Sequence, residues 1–467
     1  MKINKDSEQT IYNILSQIIL NGTNFLLIML FTRYLSTEHY GIVSIYQAYV
    51  LFFSVLVGLN TQGSIGTAFV HLNKENHNDY IASIFLFSLI SFIIICCTTG
   101  IFIVPISEFA KLEPFLVVLI LFHSLGIFSF QFLNINFVYA RKAKSSCILA
   151  LIVAITMIGI SWLGIQYPIK AIPKYMGRIL GLSLPYIICS VYAVIYIFSK
   201  GNPFRNLKCY WKLCIPICIP LVFHGFSQVV LAQTDKIMLQ KLIKNNGIVG
   251  VYSFFVTFVH ILNAVYTALN NTWVPLFYKY LKQRDYVLLK KRSKNYVNLF
   301  SLLVIGFILV APEVVKIFAD RNYWAGMFLI PIVAVSIYMV FLYSFAINYE
   351  LYYKESKWIA LGTTSSAIVN VILNSILIPK LGMYGAAMAT LGAYTLLYVF
   401  HDYCAKNIIK SGEYPFNKLF FAKNTMLVLV FSVIFYILVD TWIIRWGLAV
   451  LVGIYLCYRT YKNKSIF

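Results

Sequence analysis

Two short segments of the chain, YGIVSIY at residues 40–46 and NGIVGVY at residues 246–252, are similar and share four of seven residues. A second pair of similar segments follows, INFVYARK at 135–142 and INYELYYK at 347–354. The two pairs occur in the same order along the chain and at nearly the same separation. One such match could be chance in a chain that is 60% hydrophobic, but two in the same order at nearly the same separation indicate an internal repeat.

The composition predicts an all-α polytopic membrane protein. Only 12% of the 467 residues are charged, too few to cover the surface of a soluble protein of this length. Apolar runs of about 20 residues, long enough to cross the hydrocarbon core of a bilayer, recur from end to end. A transmembrane β-barrel would instead show segments of roughly ten residues with alternating polarity.

We predict fourteen spans, and the similar segments occupy equivalent places among them. YGIVSIY and NGIVGVY open the second and the eighth span, and the other pair closes the fourth and the tenth. The spans are predicted at 11–35, 42–66, 80–104, 114–140, 147–167, 178–199, 212–234, 247–277, 296–318, 325–353, 358–378, 382–404, 418–439 and 442–458.

The repeat predicts how the chain is organised. Spans one to six form an N-terminal lobe (1–205), spans seven to twelve a C-terminal lobe (206–410), and spans thirteen and fourteen a terminal helix pair (411–467). Because six is even, both lobes enter the membrane from the same side, so they are parallel repeats related by an axis along the membrane normal. Secondary transporters often place a substrate path between such halves.

The net charge of +22 would suggest a nucleic-acid partner in a soluble protein. In a membrane protein it indicates the Lys and Arg bias of cytoplasmic loops. Most of the 38 Lys and Arg residues fall on the side of the N terminus, many in the predicted polar loop KYLKQRDYVLLKKRSK (279–294). We therefore expect both termini in the cytoplasm and no nucleic-acid partner. The cysteines show no CxxC and no His/Cys cluster, so we expect no metal site and no cofactor.

The chain resembles bacterial polysaccharide repeat-unit flippases, the O-antigen and capsule branch of the multidrug/oligosaccharidyl-lipid/polysaccharide exporter superfamily. The resemblance covers nearly the whole chain. It is carried by RYLSTEHYGIVSIYQ (33–47), TDKIML with GIVGVYS (234–253), NNTWVPLFYKYL (270–281) and NVILNSILIPKLGMYGAAMAT (370–390). It implies a V-shaped, two-lobed transporter with alternating access. The implied cargo is an oligosaccharide on undecaprenyl diphosphate, and the implied location is the bacterial cytoplasmic membrane.

Polar side chains inside the spans are candidates for the cavity, because the resemblance implies that spans one, two, seven and eight border the cleft. Amide and imidazole groups suit sugar hydroxyls, which both donate and accept hydrogen bonds; the alternative is hydrogen bonding between helices. On each of three spans the candidates share one helical face. They are Asn13, Gln17, Asn21 and Asn24 on span one, His224, Gln228 and Asp235 on span seven, and His260, Asn263 and Asn270 on span eight.

Charges at the ends of the two equivalent first spans are candidates for binding a diphosphate. Arg33 ends span one, and Asp235 and Lys236 end span seven. Arginine can bind a phosphate through two parallel hydrogen bonds. The alternatives are an anchor at the membrane interface and a structural Arg33–Asp235 pair.

Three further residues are candidates for ion coupling: Glu313 on span nine, Glu350 on span ten and His123 on span four. A buried carboxyl can hold a proton, and histidine titrates near neutrality. The alternative for each is a packed or hydrogen-bonded residue, and the coupling ion, proton or sodium, stays open. For Asn370 and Asn374 on span eleven we expect interhelical hydrogen bonding.

These observations favour a transporter over an enzyme. The outer loops are too short for a membrane glycosyltransferase or polymerase, and the chain has no GxxxxGK[ST] motif, so it is not a Walker-type ATPase. A multidrug/cation antiporter and a peptidoglycan-lipid flippase of the same superfamily remain as alternatives. The expected partners are the lipid-linked oligosaccharide, membrane lipids and other polysaccharide-assembly proteins.

Overall fold

The computed structural model describes residues 31–167, 173–408 and 416–463. Of the residues before 31 it describes Tyr12, Leu15, Ser16, Ile19, Gly22, Thr23 and Leu27. Most of predicted span one therefore lies outside the described residues. In the described part of the chain the regular structure is helical throughout, and thirteen helices or helix pairs are long and apolar enough to cross a membrane. The predicted all-α polytopic fold is confirmed.

Sixteen α-helices are numbered here in chain order. They are α1 Thr37–Gly58, α2 Ile65–His71, α3 His77–Ile101, α4 Ile103–Ala110, α5 Pro114–Tyr139, α6 Ala143–Gln166, α7 Lys174–Lys200, α8 Leu207–Ile243, α9 Asn246–Val259, α10 Ile261–Gln283, α11 Tyr286–Phe318, α12 Leu329–Tyr352, α13 Ser356–Leu381, α14 Met383–Asn407, α15 Lys418–Ile437 and α16 Trp442–Asn463.

The prediction of a polar loop between spans eight and nine is wrong. Both helices continue into it, so that only a tight turn at Arg284 and Asp285 separates α10 from α11. Arg284 adopts a left-handed conformation, with φ of 57°, and the Asp285 carboxylate accepts a hydrogen bond from the Leu288 N–H at 2.9 Å, which caps α11. Leu281 and Leu289 are buried on either side of the turn, so apolar packing extends the helices past the membrane-length runs.

Two other helix boundaries differ from the predictions. Span two ends at Gly58 rather than near residue 66, because Leu59 and Asn60 both have φ near +48°. Span eight is interrupted at His260, which separates α9 from α10. Pro275 lies inside the uninterrupted α10.

The packing repeats between the two halves. In the first half, α7 packs most extensively against α6 and α5, which are spans six, five and four. In the second half, α14 packs in the same way against α13 and α12, which are spans twelve, eleven and ten. Equivalent helices make equivalent pairs, as the similar segments in the sequence predict.

Contacts group the described residues into two compact units. The first contains His39–Ile237, and the second contains Met238–Phe467 together with Ile28–Glu38. Aromatic side chains in mutual contact, such as Phe85, Phe128 and Phe132, fill the core of the first unit. Trp273, Tyr296 and Phe345 have the same role in the second unit. The lobe boundaries after residues 205 and 410 stay predictions.

Small residues bring two consecutive helices of the first unit together. A Cβ atom added to Gly177 of α7 would lie 2.4 Å from the backbone of Gly164 on α6, and one added to Gly181 would lie 2.1 Å from Ser161 Oγ. Close backbone approach at small residues is typical of helix packing in membranes, where dispersion contacts replace the hydrophobic effect. It fixes the C-terminal end of α6 against the N-terminal end of α7.

Candidate functional site

The polar candidates of span one are not among the residues that the structure describes. Asn13, Gln17, Asn21 and Asn24 lie outside the described residues.

Arg33 lies at the end of a helix of its own unit. Its Nη2 donates to the Ile317 carbonyl at 2.5 Å and its Nε to the Phe318 carbonyl at 3.2 Å. These are the last carbonyls of α11, which have no partner within the helix and carry partial negative charge. The side chain is solvent-exposed. The carbonyls therefore hold an exposed guanidinium in a fixed orientation.

Asp235 and Lys236 form a local cluster on α8. Both are buried, and the Asp235 carboxylate accepts a hydrogen bond from the Lys236 N–H at 2.8 Å. The Lys236 ammonium donates to Gln233 Oε1 at 2.8 Å. Arg33 and Asp235 belong to different units, so the predicted pair between them stays a prediction.

The remaining candidates of span seven, His224 and Gln228, lie one turn apart on α8 and are partly buried. Near them, Asn60 Nδ2 donates to the Leu221 carbonyl at 2.6 Å and so ties the end of α1 to α8. The polar face of span seven thus adjoins the point where span two ends.

The candidates on span eight have different surroundings. His260 is exposed at the break between α9 and α10. Asn263 is partly buried, and its Oδ1 has no hydrogen-bond partner within the described part of the chain. Asn270 accepts a hydrogen bond from Asn348 Nδ2 of α12 at 3.5 Å. The C-terminal part of the polar face of span eight therefore contacts span ten.

Glu313 is held by a cation that the sequence analysis did not connect with it. Arg445 of α16 donates from Nη1 and Nη2 to its two carboxylate oxygens, at 2.9 and 2.5 Å. The guanidinium is fully buried and also donates to the carbonyls of Leu309, Leu438 and Val439. All five N–H groups of Arg445 are used, and the network joins α11 to both helices of the terminal pair.

His123 is buried between helices of the first unit. Its Nδ1 lies 3.1 Å from the hydroxyl of Tyr46 on α1, and the two rings stack with centroids 5.7 Å apart. Its partner is thus a neutral phenol that belongs to the YGIVSIY segment itself.

Glu350 meets a histidine that sequence analysis missed. His401 Nδ1 of α14 lies 2.9 and 3.0 Å from the two oxygens of the Glu350 carboxylate on α12. Both side chains are fully buried. His401 is at the end of span twelve, and nothing in the sequence indicated which spans pack against span ten.

Asn370 forms the expected interhelical hydrogen bond, and the hydrogen bond that Asn374 donates stays within α13. Asn374 Nδ2 donates to Asn370 Oδ1 at 3.0 Å, and Asn370 Nδ2 donates to Thr390 Oγ1 of α14 at 3.3 Å. Another buried polar contact was not predicted: Arg178 of α7 donates to Ser161 Oγ of α6 at 2.9 Å. Both contacts join consecutive helices at equivalent places in the two halves.

Comparison with known proteins gives one family match and several similar structures. The model of the family described as "Polysaccharide biosynthesis protein" matches residues 7–281. Protein 1 of the Lsg locus of Haemophilus influenzae is 24% identical over 394 residues, which are 79% of this chain and 90% of that protein.

Two groups of solved structures share the fold. A lipid II flippase MurJ in an inward closed conformation has a TM-score of 0.71 at 19% identity, covering 98% of each chain. A multidrug resistance MATE family transporter of the MOP superfamily, in an inward-facing conformation, has a TM-score of 0.56 at 14% identity, covering 87% of this chain and 96% of the other. At these identities the similarity shows the fold alone.

Proposed function

Since the chain belongs to the polysaccharide biosynthesis protein family, we propose that it is a flippase for undecaprenyl-diphosphate-linked oligosaccharide repeat units. It moves them from the cytoplasmic to the outer leaflet of the bacterial cytoplasmic membrane, with both termini in the cytoplasm. The family match carries this proposal. The fold shared with a lipid II flippase supports it, because that cargo, too, is a lipid.

Arg33 is the residue that we propose for binding the diphosphate. The α11 carbonyls fix its Nε and Nη2 while the side chain stays exposed, which gives an orientation suited to a planar contact with phosphate oxygens. The polar faces of spans seven and eight, from His224 to Gln228 and from Asn263 to Asn270, would meet the sugar hydroxyls.

The contacts of the three candidates for ion coupling, Glu313, Glu350 and His123, favour a proton as the coupling ion. Glu313 is paired with Arg445, whose five N–H groups are all used in a structural network. His123 is paired with a neutral hydroxyl. Glu350 pairs with a histidine, the side-chain type that most often transfers protons in proteins, and both side chains are fully buried.

The Glu350–His401 pair is close to the sugar-binding face proposed for span eight, and α12 connects the two. Asn348, two residues before Glu350, contacts Asn270 of span eight. A shift of the end of α12 on protonation would therefore reach Asn270 directly. This contact is the physical link that we propose between proton binding and the cavity.

Transport by the purified protein in proteoliposomes tests the proposed function. A fluorescent undecaprenyl-diphosphate oligosaccharide placed in one leaflet should become accessible to a membrane-impermeant quencher only when the protein is present. Fluorescent lipid II and a cationic dye serve as competing cargoes in the same vesicles. Faster transport of lipid II would favour a peptidoglycan-lipid flippase, which the TM-score of 0.71 makes the second candidate. Transport of the dye alone would contradict both.

We expect Arg33→Gln to reduce transport of the oligosaccharide by roughly 10- to 100-fold, because a hydrogen bond to a charged group contributes about 1.5–3 kcal/mol. Arg33→Lys should recover part of the rate, since it keeps the charge without the planar fork. Arg321→Gln is the matched control: Arg321 is an exposed arginine of the same unit, stacked on Trp324 at 5.6 Å. Full transport by Arg33→Gln would show that Arg33 does not bind the diphosphate. Unchanged thermal stability of this variant would show that its loss of transport does not come from the lost hydrogen bonds to the end of α11.

A further inference from the structure

The face of the first unit formed by α5, α6 and α7 carries an apolar groove of about 470 Å³. Side chains from all three helices line it, among them Phe137 of α5, Ile152 and Thr156 of α6, and Pro185 and Ile188 of α7. Ile152 is 54% and Ile188 65% exposed, so the groove opens toward the surroundings of the protein. In a membrane-spanning helix those surroundings are lipid chains.

The turn between α5 and α6, at one end of the groove, carries two exposed lysines, and backbone hydrogen bonds join it to lining residues. The Lys142 N–H donates to the carbonyl of the lining residue Phe137 at 2.7 Å, and the Lys142 carbonyl accepts from the N–H of the lining residue Ser145 at 2.9 Å. Lys142 is thus bonded to groove residues on both sides of the turn between α5 and α6. Lys144, next to Ser145, is exposed as well.

Aromatic side chains mark the same end. Tyr192 lines the groove and stacks on Tyr196 with centroids 5.7 Å apart, and Tyr196 contacts Phe137. Tyrosines are typical of the level at which lipid headgroups meet the hydrocarbon. The groove therefore has a polar end with hydroxyls and ammonium groups, and an apolar body.

The other end of the groove closes in the middle of the helices. From Ser145 to Thr156 the groove follows twelve residues of α6, whose Cα atoms span roughly 16 Å at 1.5 Å per residue. Beyond it, Gly164 and Gly177 bring α6 and α7 into backbone contact. A length of roughly 16 Å matches one leaflet, about half of the 30 Å hydrocarbon core.

We propose that this groove binds one acyl chain of an anionic glycerophospholipid whose phosphate lies against Lys142 and Lys144. The single cationic end favours an anionic over a zwitterionic headgroup. The leaflet-length body favours an acyl chain over a polyprenyl chain, which is several times longer. The site is on the outward face of α5–α7, and the proposal does not depend on which cargo the protein transports.

Native mass spectrometry of the full-length protein in detergent tests the lipid site. Dioleoyl phosphatidylglycerol and dioleoyl phosphatidylcholine, which have the same chains, are added at equal concentration. We expect the anionic lipid to be retained about 10- to 30-fold better, since each lysine near a phosphate contributes a factor of about five. Lys142→Gln with Lys144→Gln should remove this preference. Lys142→Arg with Lys144→Arg keeps both charges and should keep the preference. Ile152→Trp should lower the retention of both lipids by filling the groove.

Lys279→Gln with Lys282→Gln, which neutralises two exposed lysines of the other unit, is the control and should leave the preference unchanged. Equal retention of the two lipids by the unaltered protein would overturn the proposal, as would an undiminished preference in the Lys142/Lys144 glutamine variant. Displacement of phosphatidylglycerol by an equimolar polyprenyl phosphate would overturn the choice of occupant. Because the readout is bound lipid, failure here and failure of transport are distinguishable.

Discussion

Replacing Arg445 with leucine is expected to destabilise the protein by about 3–5 kcal/mol, because it leaves the carboxylate of Glu313 without its cation inside the fold. The substitution also leaves the carbonyls of Leu309, Leu438 and Val439 without the N–H donors that Arg445 supplies. The terminal pair should lose its attachment to α11 first, since the network joins these elements. Thermal unfolding in detergent, followed by fluorescence-detected size-exclusion chromatography, measures the effect.

Two further variants show whether the ion pair itself is responsible. Glu313→Gln combined with Arg445→Met removes both charges at similar volume and should recover much of the lost stability. Arg321→Leu, which removes an exposed arginine of the same unit, should have little effect. A midpoint for Arg445→Leu within the range of Arg321→Leu would contradict a structural role for the network. Equal destabilisation by the single and the double variant would show that packing, not charge, dominates.

The fold followed from local features of the sequence, and the contacts between distant residues did not. Membrane-length apolar runs identify the spans because the bilayer sets their length, and the two similar pairs of segments reveal the repeat because they occur in order. The equivalent packing of α7 and α14 follows from that repeat. The helical turn at Arg284 was missed because amphipathic helices at the membrane surface have the same charge density as a solvated loop.

The partners of the charged candidates were beyond sequence reasoning for a physical reason. Glu313 and Arg445 are 132 residues apart, and Arg445 belongs to a terminal pair that has no counterpart in the repeat. Nothing in the periodicity of span nine says which helices cover it. The Glu350–His401 pair lies within one half, where α12 packs on α14 as α5 packs on α7, but the repeat does not say how each helix is rotated. The rotation decides whether two side chains face each other.

Replacing Glu350 with glutamine is expected to abolish the response of transport to an imposed proton gradient while leaving the fold intact. Glutamine keeps the shape of the side chain and a hydrogen-bond acceptor for His401, but it cannot take up a proton near neutrality. A coupling free energy of 1–3 kcal/mol corresponds to a roughly 5- to 150-fold stimulation, which the variant should lose. Oligosaccharide transport in proteoliposomes, with and without a pH difference across the membrane, measures it.

The surroundings of the pair make the test specific. Tyr343 of α12 stacks on the His401 ring at 5.9 Å, and Cys404 of the same helix as His401 is buried nearby. A Cβ on Gly362 of α13 would lie 2.6 Å from His401 Nε2, so there is no room for a side chain at that position. Because His401 is enclosed in this way, His401→Gln should show the same loss of gradient response as Glu350→Gln. The combination of the two should be no worse than either alone, since each single change already removes the shared site.

Glu355→Gln is the matched control, because Glu355 lies five residues further on, is paired with Lys357 at 3.3 Å and is partly exposed. It should keep the full response to the gradient. If Glu350→Gln kept that response as well, the proton would have to bind elsewhere, and the buried pair would be a structural contact between α12 and α14. If a sodium gradient, and not a proton gradient, drove transport by the unaltered protein, the proposed coupling ion would be wrong. The family assignment and the lipid-linked cargo would stand, because neither depends on how the motion is driven.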